Sequence, residues 1–423
     1  MKLHEICPVE LPEADLTDSV YIGSGIRTDL QDIAAQFGVT DTPVICDPNT
    51  LNAAGLKNQS DHRIDLGPHA HADAETVGRV SEKLTGAAGA IAVGSGTVND
   101  LAKRACAQNE IPYIVLGTAA SMNGYASGIA AILDQGVKTT VPARPPRAII
   151  LDCEILADAP ARLTQAGLGD LISKPVSDSD WWLADAVEKT GYSELPSLIV
   201  DHAVAAAVNA ASGLPEKDLN AHGALGTALV LSGVAMVVAG SSSPASGGEH
   251  LISHLWDMEN VVLGQPTRLH GAQVGVATCI TAALYQLLLE CTNPVFARVP
   301  SRQALETRIQ DEHGPLAASI LPHARSKNER AEARIAVLRD NWSEIRDGLA
   351  DRTLPKPEDI RRTLCAANAP STLAELGETR ANTARVFRLA RDIRNRITVL
   401  DIAFELGILP GRIDEVLDRS GVV

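Results

Sequence analysis

Four side chains in three separated segments are of the kinds that hold and serve a divalent cation. Asp170 closes Ala166-Gly-Leu-Gly-Asp170, His250 and His254 share Gly248-Glu-His-Leu-Ile-Ser-His254, and His270 stands in Leu269-His-Gly271. One carboxylate with two neutral imidazoles leaves coordination positions open for a substrate oxygen, as a catalytic ion requires. Such a set suits zinc, nickel or iron and does not choose among them. His254 follows His250 by four residues, one helical turn further along the same face.

A second chemistry is written upstream. Gly94-Ser-Gly-Thr-Val-Asn-Asp100 follows an apolar run and opens a helical pattern. Glycines there let the backbone approach a pyrophosphate, and the helix N-terminus offers N–H donors and a favourable dipole. The turn is a shortened fingerprint, because Asn99 stands where the third glycine of GxGxxG would be. Asp47 ends an earlier strand, where a carboxylate can accept from ribose hydroxyls and repel a 2′-phosphate, favouring NAD over NADP. Gly117-Thr-Ala-Ala-Ser121 adds hydroxyls and N–H groups after the next strand. Taken singly, these are an ordinary βα turn, a turn-forming Asp and a Ser/Thr-rich loop. Together, a dinucleotide and a divalent ion imply alcohol–ketone redox chemistry.

These groups need a scaffold, and the hydrophobic pattern supplies two kinds. Val20–Gly23, Pro43–Cys46, Ala90–Val93, Pro112–Leu116 and Ala148–Leu151 read as strands, separated by helices over Leu30–Phe37, Asn49–Leu56, Ala74–Leu84 and Val98–Ala107. Alternation of this sort predicts βαβ units and a parallel sheet. Ala130–Leu133 and Thr139–Val141 read as an inserted antiparallel hairpin. After Pro160 the period becomes helical, through Trp181–Glu188, Ile199–Ala211, Leu219–Ala239, Val274–Glu290, Glu329–Ala350, Pro357–Ala367, Ala381–Leu406 and Arg412–Leu417. Residues 298–352 carry both charge signs and read as a solvated helical hairpin. The expected organisation is a dinucleotide-binding α/β domain over residues 1–157 and an all-α metal- and substrate-binding domain over 158–423.

Composition narrows the partners. A chain of 423 residues is long for one core, and 45% hydrophobic residues with 3% aromatics favour aliphatic helix and parallel-strand packing. The net charge of −15 disfavours nucleic acid and anionic membranes. Seven scattered cysteines, without a CxxC pair, read as free thiols of a reducing cytoplasm. The N-terminal Met1–Cys7 has no signal-peptide h-region. Uncharged Gly223–Ser243 is interrupted by glycines and reads as a buried core helix rather than a membrane span.

The chain resembles the iron-containing alcohol dehydrogenase-like superfamily, and within it the sn-glycerol-1-phosphate dehydrogenases, including the AraM-type proteins. The resemblance is carried by Val93–Asp100, Gly117–Ser127, Ala166–Leu171, Gly248–His254, Leu269–Gly271 and Ile393-Arg-Asn-Arg-Ile-Thr-Val-Leu-Asp-Ile-Ala403. It implies a Rossmann-like parallel-sheet domain followed by an all-α domain, the dehydroquinate synthase-like, iron-dehydrogenase fold. By that resemblance Asp170, His250 and His270 hold the metal, and His254 lies beside the substrate. Asp47, Gly94, Ser95, Gly96, Thr97, Val98, Thr118, Ser121 and Ser127 match cofactor contacts. The implied reaction interconverts glycerol 1-phosphate and dihydroxyacetone phosphate with NAD or NADP, and the implied assembly is a homo-oligomer. Three positions depart from the family pattern: Asn123 replaces a substrate-facing Asp, Ser95 a Gly and Ala272 a Glu. Asn123 keeps an acceptor, loses a charge and gains a donor, so a different polyol or sugar alcohol is the alternative substrate. A dehydroquinate-synthase-like lyase would instead regenerate its NAD within one turnover. Lys138, Arg144 and Arg268 are candidates for a substrate phosphate, with surface charge as the simpler reading of each.

Overall fold

The computed structural model describes residues 2–56, 62–134 and 137–423, and of residues 134, 137 and 138 the backbone alone. Short aliphatic runs form strands at Ser19–Gly23 (β1), Val44–Cys46 (β2), Arg63–Asp65 (β3), Ala90–Gly94 (β4) and Tyr113–Gly117 (β5). Ile129–Asp134 (β6), Val137–Pro142 (β7) and Ala148–Asp152 (β8) follow. Six of them make one sheet in the order β1-β8-β5-β4-β2-β3, with every pairing parallel. β6 and β7 pair antiparallel by themselves, as the expected hairpin. β4, β5 and β8 are buried at every position, because a parallel sheet is covered on both faces. β3 was not anticipated: two of its three residues, Arg63 and Asp65, are charged and exposed, leaving Ile64 alone to report a strand.

The sheet has a switch point. From β2 the chain moves outward to β3, then crosses back to place β4 on the other side of β2. Cys46 pairs with Val93, so Asp47 and Gly94 leave the carboxyl ends of adjacent strands side by side. Crevices at such points are where open α/β sheets take ligands.

Two compact units are distinguishable. One comprises Met1–Leu171, Leu195–Ser241 and Ala366–Asn368 and contains all eight strands. Its helix Leu219–Val238, the uncharged stretch, buries 78% of its most apolar window inside the protein. Among the described residues three helices are long and apolar enough to cross a membrane by length and composition. Of the other two, His270–Glu290 buries 83% of that window and Glu194–Gly213 buries 39%.

The other unit, Ile172–Glu194, Ser242–Cys365 and Ala369–Val423, is helical among the described residues. Two expectations are corrected here. The charged stretch forms helices Arg302–His313 and Ala317–Ala350, and the second is not simply solvated: it buries Lys327 and Arg334 with its apolar stripe. Those charges are tolerated because Lys327 meets Asp401 at 2.6 Å and Arg334 meets both Glu405 and Glu188. The helix expected over Ala381–Leu406 is interrupted. It ends at Leu389, tightens to a 3-10 turn over Ala390–Ile393, and resumes at Val399–Glu405. Between them Arg394 is extended, with φ −140° and ψ 156°, and Thr398 and Asp401 form a capping box for the new helix.

Candidate active site

Each metal-ligand candidate sits on a helix. Asp170 lies in the last turn of Ala161–Leu171, His250 in the first turn of Gly248–Val262, and His270 is the first residue of His270–Glu290. One donor atom from each of Asp170, His250 and His270 lies within 4.8 Å of the others. Asp170 and His250 are buried and His270 is partly exposed. His254 joins them: its ring stacks on that of His270 at 5.2 Å with 16° between planes, and its centroid is 6.1 Å from that of His250.

The imidazoles are oriented from behind. His250 Nδ1 is 2.7 Å from Glu249 Oε1, a carboxylate with no solvent exposure, which also accepts from Ser177 Oγ at 2.7 Å and Gly247 N at 2.8 Å. A carboxylate only accepts, so Nδ1 carries the proton and Nε2 keeps its lone pair. Ser253 Oγ donates to Gln273 Oε1 at 2.9 Å, which leaves its oxygen to accept from His270 Nδ1 at 3.3 Å. Both rings therefore present Nε2 as the ligand atom, the arrangement that fits a divalent cation.

A second buried carboxyl stands beside Glu249. Asp180 accepts from Gly248 N, Tyr285 Oη and Val399 N, each at 2.6 Å. A Cβ on Gly247 would fall 2.4 Å from Asp180 Oδ2 and 2.8 Å from Glu249 Oε2, so only glycine lets both oxygens crowd this backbone. Burial first, and then the charge of Glu249, push the Asp180 carboxyl up to about 7. Glu249 is itself deeply buried, yet its bonds to His250, Ser177 and Gly247 hold it below the ordinary carboxylate value. The proton of the pair thus resides on Asp180, and Glu249 stays anionic toward His250. Sequence reasoning assigned no role to Glu249, Asp180, Ser253 or Gln273, although Glu249 and Ser253 stand inside the Gly248–His254 motif.

The nucleotide candidates gather on the sheet. β4 ends at Gly94, Ser95 is the N-cap, and Gly96, Thr97 and Val98 begin the helix Gly96–Gln108. The Ser95 side chain caps none of the first N–H groups, and no acidic side chain occupies the first turn. This is the donor set an anion needs. Asp47 is the N-cap of Pro48–Ala53, and its Oδ1 accepts from Asn49 N at 2.7 Å and Thr50 N at 3.0 Å. Thr118 is buried beside the turn, its N–H donating to Gly94 O at 3.2 Å, while Ser121 is half-buried. Ser127 is 2% exposed, and its hydroxyl is taken up internally by Lys103 Nζ at 3.0 Å and Ile129 O at 3.0 Å. Asn123 Nδ2 reaches Ser232 Oγ at 3.3 Å.

Lys103 is the buried support of that loop. Its ammonium donates to Gly124 O, Ser127 O and Ile129 O at 2.5, 2.8 and 3.1 Å. Among the described residues no carboxylate bonds it, and burial pushes it down to about 8.

Residues 21–160 match the family model described as iron-containing alcohol dehydrogenase. The chain is 31% identical to a glycerol-1-phosphate dehydrogenase [NAD(P)+] of Halorubrum lacusprofundi over 96% of this chain and 97% of that protein. A protein of the same description from Thermococcus kodakarensis is 35% identical over 67% of this chain and 82% of its own length. Among solved structures, a probable glycerol dehydrogenase from Sinorhizobium meliloti superposes with a TM-score of 0.62 at 17% identity, covering 97% of this chain and 98% of that one. A sulfoacetaldehyde reductase from Bifidobacterium kashiwanohense, solved with NAD+, gives 0.60 at 15% identity, covering 98% and 100%. Both share the fold.

Proposed function

Because the chain belongs to the glycerol-1-phosphate dehydrogenase family of iron-containing alcohol dehydrogenases, we propose that it interconverts dihydroxyacetone phosphate and sn-glycerol 1-phosphate with NAD(P)H. The observation that carries this reading is the convergence of Asp170, His250 and His270 donors within 4.8 Å. Asp170, His250 and His270 would hold one divalent ion, zinc, nickel or iron, and the turn Gly94–Val98 with Thr118, Ser121 and Asp47 would hold the dinucleotide. When bound, the ion supplies a Lewis acid for the carbonyl or alkoxide oxygen, and the nicotinamide supplies or accepts hydride.

The protein's own groups do the rest. Asp170 brings one negative charge, and the two imidazoles enter neutral because their Nδ1 protons are engaged by Glu249 and Ser253. His254, stacked on His270, is the group to exchange the hydroxyl proton, since imidazole titrates near neutrality. Asn123 commits its Nδ2 to Ser232 and keeps Oδ1 to accept from a substrate hydroxyl. Asp47, half-exposed at the end of β2, favours the unphosphorylated ribose of NAD. The substrate is a small polyol phosphate, the expected compartment is the cytoplasm, and the active form is a homo-oligomer.

The test is a substrate panel on protein whose bound metal has been measured. Dihydroxyacetone phosphate should support oxidation of NADH, and NADPH should serve less well. Turnover confined to an unphosphorylated ketone would replace the substrate, and turnover without net NADH oxidation would replace the reaction class.

A further inference from the structure

The broken helix at Arg394–Thr398 carries two arginines that no carboxylate bonds among the described residues. Arg396 reaches back to the loop before His250: one terminal nitrogen donates to Ser246 O and the other to Ser242 Oγ at 2.7 Å. Among the described residues Arg394 donates only to the adjacent Ile393 O, at 3.1 Å. Both are half-buried, and neither is bonded by a carboxylate among the described residues. Their neighbours are treated differently. Lys327 meets Asp401 at 2.6 Å, and Arg391 lies 3.7 Å from the same carboxylate. Half-buried Arg308, Arg330 and Arg385 likewise pair with Asp392, Glu188 and Glu259.

The segment lies against the metal-ligand helix. Asp180 joins Val399 N to Gly248 N, and a Cβ on Gly248 would meet Leu400 Cγ at 3.2 Å and Val399 Cγ1 at 3.4 Å. The loop that Arg396 grips, Ser242–Gly247, is also fixed by Lys174 Nζ on Ala245 O at 3.0 Å, and it leads directly into His250. Glu249 and Asp180 act on Arg396 through space without bonding it. Burial holds both guanidiniums below their ordinary value, and burial first, then the charge of Arg394, lowers His323. Two neighbouring guanidiniums that no carboxylate bonds among the described residues, in a chain of net charge −15, suit an anion.

We propose that Arg394 and Arg396, with the Ser242 hydroxyl, form the subsite that takes the phosphate monoester of the substrate. This rests on the reading above that the substrate is a phosphorylated triose. Nε and one terminal nitrogen of Arg394 and Nε of Arg396 remain to be used, and a guanidinium fork matches two phosphate oxygens at once. The other cations weighed from sequence fit less well: Arg268 is bound by Glu378 at 2.7 Å, Arg144 is exposed 3.6 Å from Asp15, and the Lys138 side chain lies outside the described residues.

The test compares wild type with R394A and R394K on dihydroxyacetone phosphate and dihydroxyacetone, together with inorganic phosphate binding by calorimetry. In R394A the ratio of kcat/KM for the phosphorylated over the plain ketone should fall about 10–100-fold, carried by KM, with R394K recovering only part. Phosphate binding should weaken in parallel. An unchanged ratio in both variants overturns the proposal. A loss confined to KM for NADPH does so too, because the anion would then be the cofactor's 2′-phosphate. If wild type does not reduce dihydroxyacetone phosphate, the proposed reaction fails by itself. Phosphate binding that depends on Arg394 would still uphold the subsite, and binding indifferent to Arg394 would remove it.

Discussion

His250 Nδ1 lies 2.7 Å from Glu249 Oε1, and the carboxylate is sealed from solvent. The contact fixes the tautomer of a metal-ligand candidate from a residue one position earlier in the chain. Removing the charge should therefore weaken the ion's hold. The Glu249→Gln variant is expected to lose about 10–100-fold in metal affinity, measured by competition with a chelator. Equal affinity in variant and wild type would show that Glu249 does not orient the ligand.

The carboxyl pair behind His250 gives stability a pH dependence. Asp180 is raised from its ordinary 3.8 to about 7, so its contribution is complete below 3.8 and is lost as pH rises through about 7. Glu249 is lowered from 4.5, so its contribution is present above that value and fades as pH falls through its folded pKa. The pair is therefore most favourable at about pH 4, between the ordinary values of 3.8 and 4.5, and loses stability as pH rises from there to about 7. Urea unfolding of metal-free protein should lose on the order of 4 kcal/mol from Asp180 across the rise. Asp180→Asn cannot titrate, and its stability should lack that decline. Parallel pH profiles for the two proteins would exclude the assignment.

Asp47 has two duties, capping Pro48–Ala53 and standing at the sheet's switch point beside Gly94. Asp47→Ser keeps a cap of similar quality and removes the charge. The NADPH-to-NADH ratio of kcat/KM should rise at least about tenfold, the effect of some 1.4 kcal/mol of relieved repulsion. A ratio that does not move, in a variant of unchanged stability, would take Asp47 out of cofactor choice.

Lys103 satisfies three carbonyls and the Ser127 hydroxyl from a fully buried position. Lys103→Met fills the space and orphans those acceptors. At about 1–3 kcal/mol for each buried group left unpaired, a loss of at least about 3 kcal/mol is expected in urea unfolding. The KM for NADH should rise as well, because the same loop carries Thr118 and Ser121. Unaltered stability would mean that water replaces the ammonium.

Much of this was legible in sequence, for definite reasons. Residues buried on both sheet faces leave continuous aliphatic runs, so β1, β2, β4, β5 and β8 announced themselves. His250 and His254 advertised one helix face by their spacing of four. The helix bearing Asp170 was hidden by its own glycines, which are poor helix formers. Gly167 is nevertheless required, since a Cβ there would fall 1.9 Å from Ala120 O. The break at Arg394 was hidden differently. Its apolar neighbours Ile393, Ile397 and Leu400 keep a helical rhythm through a segment whose backbone is extended. Pairing of carboxyls 69 residues apart, as for Asp180 and Glu249, leaves no local trace at all.

The most direct measurement is the metal content of purified wild type, His250→Ala and Asp170→Asn, taken with NADH oxidation by dihydroxyacetone phosphate on the same samples. Wild type should carry one divalent ion per chain, and both variants should lose ion and turnover together while remaining folded by circular dichroism. Variants that keep the full complement of metal and the wild-type rate would contradict a site built on Asp170, His250 and His270.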